Sequence, residues 1–277
     1  MKNKKEKNKS SLKRELSNLF KGIFSILWFF IRIPYFIALG IIWLVKKIKK
    51  QTNKTQTRIK RKKMCANYSQ FNLIKTISGN FDAWEGKVQD AESTIGLILG
   101  ARGTGKTAFG LKTLENIYSK KKKRCYAMGF DEKEMPSWIK VVENVSEIEN
   151  DSLVLIDEGG ILFSSRRAMT NANKILSELI LIARHKGISI LFISQNSSNL
   201  EVNAIRQADY IALKPSSLLQ KDFERKKIKE IYESTSEDFR NLRDKKGLTY
   251  IYSEEFRGFV TNSLPSFWTQ KISKSFR

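Results

Sequence analysis

Gly100-Ala101-Arg102-Gly103-Thr104-Gly105-Lys106-Thr107 constrains this chain more than any other stretch. Glycine, lysine and a hydroxyl residue stand at the spacing of a loop that cradles phosphates. Glycines let successive backbone N–H groups curl around phosphate oxygens without Cβ clashes. Lys106 brings a point charge to the β- and γ-phosphates, and the Thr107 hydroxyl is a ligand for Mg²⁺. The helix that opens here turns its positive dipole end to the same phosphates. The flanks agree. Thr94-Ile95-Gly96-Leu97-Ile98-Leu99 is a short apolar run suited to a buried parallel strand. From Ala108 to Tyr118 the apolar positions Ala108, Leu111, Leu114 and Ile117 fall near helical spacing. The expected nucleotide-binding set is therefore Gly100, Ala101, Arg102, Gly103, Thr104, Gly105, Lys106, Thr107 and Ala108.

A second apolar strand, Ser152-Leu153-Val154-Leu155-Ile156, ends in the carboxylates of Asp157 and Glu158. In phosphate-loop ATPases an acid at such a strand end helps hold Mg²⁺, which falls here to Asp157 with Thr107. The adjacent Glu158 is the expected general base for the attacking water. A third strand, Ile188-Ser189-Ile190-Leu191-Phe192-Ile193-Ser194, ends at Gln195, whose amide is placed to sense the γ-phosphate or orient water. Asn196 is followed by Ser197, so the Asn-Lys-x-Asp pattern that reads guanine does not start here, which points away from a GTPase. A transition-state arginine is expected from Arg206, between two strands, with Arg184, Arg166 and Arg167 as rivals.

The phosphate loop, the Asp157-Glu158 pair and the strand leading to Gln195 resemble the HerA/FtsK class of P-loop ATPases. Ala183-Arg184-His185-Lys186-Gly187-Ile188, Ser194-Gln195-Asn196 and Ala204-Ile205-Arg206 look most like its zonula-occludens-toxin branch, which contains filamentous-phage assembly ATPases, and are similar to genome-packaging ATPases of membrane-containing viruses. The likeness covers roughly residues 92–215. It implies a RecA-like α/β fold with a mostly parallel sheet, a homo-oligomeric ring, and ATP-driven movement of double- or single-stranded DNA.

Gly22 to Val45 is 24 residues long with one charge, Arg32. At a rise of about 1.5 Å per residue such a helix covers a bilayer core of about 30 Å. Trp28, Tyr35 and Trp43 are residues that favour membrane interfaces. The run is too long for a cleaved signal peptide and no small-residue cleavage site follows. Arg32 and Pro34 near its middle leave two arrangements open: one span, or a re-entrant helix bent at Pro34 that keeps both basic flanks beside anionic lipid.

The net charge of +23 invites a nucleic-acid reading, but its distribution divides that charge. Residues 1–63 hold 19 Lys/Arg against 2 Asp/Glu, leaving 32 against 26 for residues 64–277. The excess sits beside the apolar segment, where polybasic runs attract lipid headgroups. Lys120-Lys121-Lys122-Lys123-Arg124 and Arg225-Lys226-Lys227 are the candidate DNA phosphate contacts. Cys65 and Cys125 have no metal-site or disulfide spacing, and the lone His185 has no zinc partners in sequence.

The expected organisation is a basic tail (1–21), a transmembrane or membrane-embedded helix (22–45), a basic linker (46–66) and a P-loop ATPase domain (67–277) on the cytoplasmic side of a membrane. Within that domain Leu248–Tyr252 and Gly258–Val260 are expected to form a late hairpin that extends the sheet, and Lys221–Glu233 a surface helix. ATP and Mg²⁺ are the expected ligands. Three other readings stay open: an assembly or secretion ATPase acting on coat protein or membrane, a nucleotide-dependent membrane scaffold with little hydrolysis, and, less favoured because no acceptor site or lid is recognisable, a kinase.

Overall fold

The runs of consecutive apolar residues in the middle of the chain form strands buried on both faces. The structure, a computed structural model, describes residue 28 and residues 38–49, 64–164 and 168–272. Two units are separated near residue 60. Within the first, residues 38–49 are helical with exposed side chains, and the Lys47 ammonium lies 4.8 Å from the Trp43 ring centre. Most of the apolar segment 22–45, and all of the basic tail 1–21, fall outside the described residues. Among the described residues no helix is long and apolar enough to cross a membrane.

The second unit is built on a nine-stranded sheet. Its strands are β1 (Asn72–Gly79), β2 (Ile95–Leu99), β3 (Arg124–Met128), β4 (Ile139–Val141), β5 (Ser152–Asp157), β6 (Ile188–Ile193), β7 (Tyr210–Leu213), β8 (Thr249–Ser253) and β9 (Phe256–Thr261). Their spatial order is β1-β9-β8-β7-β2-β6-β5-β3-β4. The run from β7 to β4 is parallel, while β8, β9 and β1 add an antiparallel extension. This is a RecA-like α/β P-loop sheet. The strand after the phosphate loop's own, β3, lies to one side of β2, and β7 lies to the other. The carboxyl end of β2 is therefore the switch point at which such sheets bind ligands.

Alternation along each strand explains the unbroken apolar runs. Leu97, Val154, Ile156, Ile190 and Phe192 face one hydrophobic layer, and Ile98, Leu153, Leu155, Leu191 and Ile193 face the other. The helices α1 (Phe81–Asp90), α2 (Lys106–Lys121), α3 (Glu158–Ser164), α4 (Ala168–Lys186) and α5 (Val202–Arg206) connect or flank these strands. Phe109, Leu111 and Leu114 of α2 pack on the second layer, and Leu176, Leu179 and Ala183 of α4 on the first.

The late hairpin is present as β8 and β9, turning at Glu254-Glu255. The helix expected over Lys221–Glu233 is instead two, α6 (Leu218–Asp222) and α7 (Lys226–Ser234), followed by α8 (Ser236–Asn241). The chain breaks because Glu224 turns inward to bond Ser197, and Arg225 adopts an extended conformation at the head of α7. The contacts of the domain reach back to Met64, whose carbonyl accepts the Trp138 indole N–H at 3.1 Å. Buried Glu115 on α2 accepts from the backbone N–H of both Asn67 and Ser266, tying the two ends of the domain to the P-loop helix.

Candidate nucleotide site

The loop after β2 is held from beneath by the end of β7. The Lys214 N–H donates to the Leu99 carbonyl at 2.8 Å, and the Ala101 N–H to the Pro215 carbonyl at 3.1 Å. This approach requires glycine at position 100: a Cβ there would stand 2.6 Å from the Cβ of Lys214, and φ is +146°. Gly105 turns the chain into α2 with φ of +89°, a conformation that costs other residues free energy. Thr104 closes the loop on itself, its hydroxyl donating to the Ala101 carbonyl at 2.7 Å. Arg102 and Gly103 are exposed at the crest, and Ala108 is buried at the base.

Lys106 folds across the loop it follows. Its ammonium donates to the carbonyls of Gly100 at 2.7 Å and Ala101 at 2.9 Å. Burial pushes its pKa down to about 8, against the pull of Asp157 and Glu158. A cation held by neutral carbonyls in a partly dry site is a ready partner for phosphate oxygens.

Asp157 closes β5 and Thr107 opens α2, and the two meet: the Thr107 hydroxyl donates to an Asp157 carboxylate oxygen at 3.1 Å. The other carboxylate oxygen accepts the Gly159 N–H at 3.1 Å. A hydroxyl and a carboxylate in contact are hard oxygen donors of the kind Mg²⁺ takes alongside phosphate and water. Among the described residues no group of three or more His, Cys, Asp or Glu forms a metal cage. Mg²⁺, by contrast, needs few protein ligands.

Burial raises Asp157 to about 6, with the Thr107 hydrogen bond and Lys106 pulling it down. The sign follows. The folded state holds the proton more tightly than the unfolded chain, so stability falls as pH rises from about 4 to 6, and the ionised carboxylate is a standing cost at pH 7. Asp157→Asn is expected to stabilise the nucleotide-free protein by roughly 1–3 kcal/mol. The same variant should lose the extra melting-temperature rise that Mg²⁺ adds to ATP, both read by thermal unfolding.

Glu158 begins α3 and is buried. Burial raises its pKa, opposed by hydrogen bonds from Ser194, Asn199 and the Gln195 backbone. All three belong to the loop after β6, which lies between β2 and β5. The strand order therefore sets the tip of β6 between the phosphate loop and the acid pair. Gln195 is exposed there, and its carbonyl accepts from the Gln220 side chain.

The same loop is clamped from α6 and α7. The Glu224 carboxylate accepts from the Ser197 N–H at 2.8 Å and from the Ser197 hydroxyl. Arg225 donates to the carbonyls of Ser197 and Leu200. Glu224→Ala leaves the buried Ser197 N–H without its acceptor, a cost of about 1–3 kcal/mol. Loosening that loop moves the groups that hold Glu158. We expect the turnover rate to fall about tenfold or more, a loss equivalent to about 1.4 kcal/mol, while the ATP dissociation constant stays within about threefold. Steady-state kinetics set beside equilibrium binding check this.

Other sequence-predicted residues lie elsewhere. Arg206 is exposed on α5, three residues before Asp209, whose N–H bonds the Ile95 carbonyl at the amino end of β2. It stands toward the edge of the sheet opposite the phosphate loop, so within one chain it is not part of the cluster. Arg184 is exposed in the last turn of α4, before the amino end of β6. Arg166 and Arg167 fall outside the described residues. The Lys120–Arg124 run also lies at the amino edge and has local partners: Lys121 with Asp90 at 2.6 Å, Lys123 with the Glu92 carbonyl at 2.8 Å, and Arg124 with Glu149.

Four residues around the loop and the acid pair carry no sequence signal strong enough to single them out: Ser194 and Asn199 beside Glu158, Glu224 on the loop after β6, and Lys214 beneath the phosphate loop. A charged residue right after a buried strand, as Lys214 follows Tyr210–Leu213, is the one clue that was available.

Residues 108–240 match the family model of zonular occludens toxin (Zot). The similarity to Zot covers that stretch, a little under half of the chain. The matched stretch takes in the Asp157-Glu158 pair, Gln195 and Arg206, and it begins directly after the phosphate loop. No curated protein matches the sequence. Among solved structures, this chain is similar to B204, the DNA-packaging ATPase of Sulfolobus turreted icosahedral virus, at 14% identity over 63% of this chain and 99% of that one, with a TM-score of 0.44. B204 of Sulfolobus turreted icosahedral virus 2, solved with AMPPCP, matches at 15% identity over 62% and 99%, with a TM-score of 0.43. The pCW3 conjugation coupling protein TcpA, with ATPγS, matches at 12% identity over 67% and 64%, with a TM-score of 0.43.

Proposed function

We propose that this protein is a membrane-anchored ATPase that couples Mg²⁺-dependent ATP hydrolysis to DNA movement, as in genome packaging, extrusion or transfer. The contact between Thr107 and Asp157, with Lys106 and Glu158 beside it, carries the enzymatic part of the reading. In this mechanism the loop N–H groups from Gly100 to Thr107 and the α2 dipole bind the phosphates, and Lys106 leaves its carbonyl partners for the β- and γ-oxygens. Thr107 and Asp157 would hold Mg²⁺, which would supply positive charge against that developing on the phosphates. Glu158, with its pKa raised, accepts the proton of the attacking water. Gln195 contacts the γ-phosphate side of the site, and its loop passes the change to α6 through Gln220. In a ring, Arg206 of one copy serves the nucleotide of the next.

DNA as the moved substrate rests on the motif resemblance. The anchor rests on the apolar segment 22–45 with its basic flanks, and the cytoplasmic side on the domain's need for ATP. A second reading, a Zot-like assembly ATPase acting on coat protein or membrane, is favoured by the charge distribution. Most of the positive excess flanks the apolar segment, and several of the basic side chains in 120–124 are locally paired.

Phosphate release by the full-length protein in lipid bilayers, with and without double-stranded DNA at low and moderate salt, separates the readings. DNA movement predicts stimulation that persists at moderate salt. Hydrolysis indifferent to DNA favours the assembly ATPase, and tight nucleotide binding without turnover favours a scaffold.

A further inference from the structure

Lys214 directly follows β7 and is completely buried. Such a cation is costly unless something compensates it. Its ammonium donates to the Gly247 carbonyl at 3.0 Å and the Asn262 side-chain oxygen at 3.3 Å, and lies 5.2 Å from the Phe109 ring centre. All three partners are neutral. Among the described residues the formal charge that acts on it is that of Lys106, which repels it.

The position is not accidental packing of a long side chain. The Lys214 backbone N–H bonds Leu99, its carbonyl accepts the buried Tyr232 hydroxyl at 3.0 Å, and its Cβ occupies the space that Gly100 leaves open. Those contacts aim the ammonium under the turn into α2, 4.0 Å from where a Cβ of Gly105 would sit. Two lysines and a helix amino terminus thus converge on one loop, and only Lys106 has carboxylates acting on it. The missing counter-charge matches a polyphosphate on the other side of the loop, where a water-poor setting strengthens the attraction.

We propose that Lys214 is a second lysine of the nucleotide site, a positioning residue whose buried ammonium backs the phosphate loop and is neutralised by the bound polyphosphate. This rests on the reading of Gly100–Thr107 as an ATP site. It gives the C-terminal hairpin a part in that site, because Gly247 and Asn262 lie at the carboxyl edge, at the two open ends of β8 and β9.

The test compares full-length wild type, Lys214→Met, Asn262→Asp and Lys106→Ala by equilibrium binding of Mg-ATP and AMP, and by thermal unfolding without nucleotide. Lys214→Met removes the charge and keeps most of the volume. Asn262→Asp keeps the lysine and supplies a competing carboxylate. Both are expected to weaken ATP binding about tenfold or more, to leave AMP binding within about twofold, and to raise the nucleotide-free melting temperature. A merely structural lysine would lower the melting temperature and move ATP and AMP together, which would overturn the proposal. ATP affinity unchanged in Asn262→Asp would also overturn it, whether or not Lys214→Met folds. If Lys106→Ala weakens ATP binding while both other variants bind like wild type, the role of Lys214 falls and the ATP site stands. If all three bind like wild type, both fall.

Discussion

Lys106→Ala is expected to weaken Mg-ATP binding at least a hundredfold, about 3 kcal/mol, because it removes charge-assisted hydrogen bonds to the phosphates. The fold should survive. Lys106 is buried, its partners in the nucleotide-free site are the carbonyls of Gly100 and Ala101, and burial already lowers its pKa to about 8. The variant therefore sheds a desolvated charge as it sheds the ligand contact. Titration calorimetry with Mg-ATP and thermal unfolding read the two effects separately. Lost binding with an unchanged or higher melting temperature is the expected pair. Wild-type affinity would remove Lys106 from the phosphate site.

Glu158→Gln is the second large effect, and it is of a different kind. Glutamine keeps the size of the side chain and its contacts with Ser194 and Asn199, but cannot accept a proton from water. ATP should bind within about threefold of wild type while turnover falls by about 10²–10⁴, the range for loss of a general base. Single-turnover hydrolysis measured beside equilibrium binding resolves this. A wild-type rate in the variant would exclude Glu158 as the base and turn attention to Gln195, the polar residue that β6 places between the phosphate loop and the acid pair.

The parts of this site that were legible in sequence are those in which chemistry demands a residue type. The loop glycines, Lys106 and Thr107 stand at fixed spacing, and the acid pair ends an apolar run. Gln195 follows another such run, and the alternation of these runs with helical stretches implies a parallel sheet. What was not legible depends on neighbours far away in the chain. β1 is unmarked in the sequence because it is an edge strand exposed along nearly its whole length, with Leu73 and Ile77 exposed, so apolar alternation does not mark a buried side. β4 is three residues long, too short to carry a period. Lys214 and Glu224 read as surface charges, since burial of a charged side chain is set by what approaches it. Gly100 makes room for the first, and Ser197 supplies hydrogen bonds to the second. Glu224 also accounts for the break in the helix expected over Lys221–Glu233.

Arg206 illustrates the same limit from the other side. Its place in the motif resemblance is clear, but the chain returns from the carboxyl edge of the sheet to the amino edge before β7 begins. The residue therefore ends up near Asp209 and Ile95 rather than near Lys106. A role in hydrolysis for Arg206 requires a neighbouring copy.

ATP hydrolysis by the cluster of Lys106, Thr107, Asp157 and Glu158 underlies the proposed function. Its most direct test is steady-state phosphate release from ATP by the full-length protein in lipid bilayers, with Mg²⁺ present or chelated. The expected result is saturable release that needs Mg²⁺ and disappears in Lys106→Ala and Glu158→Gln. Release no greater than that of Lys106→Ala, with DNA and lipid both supplied, would contradict it.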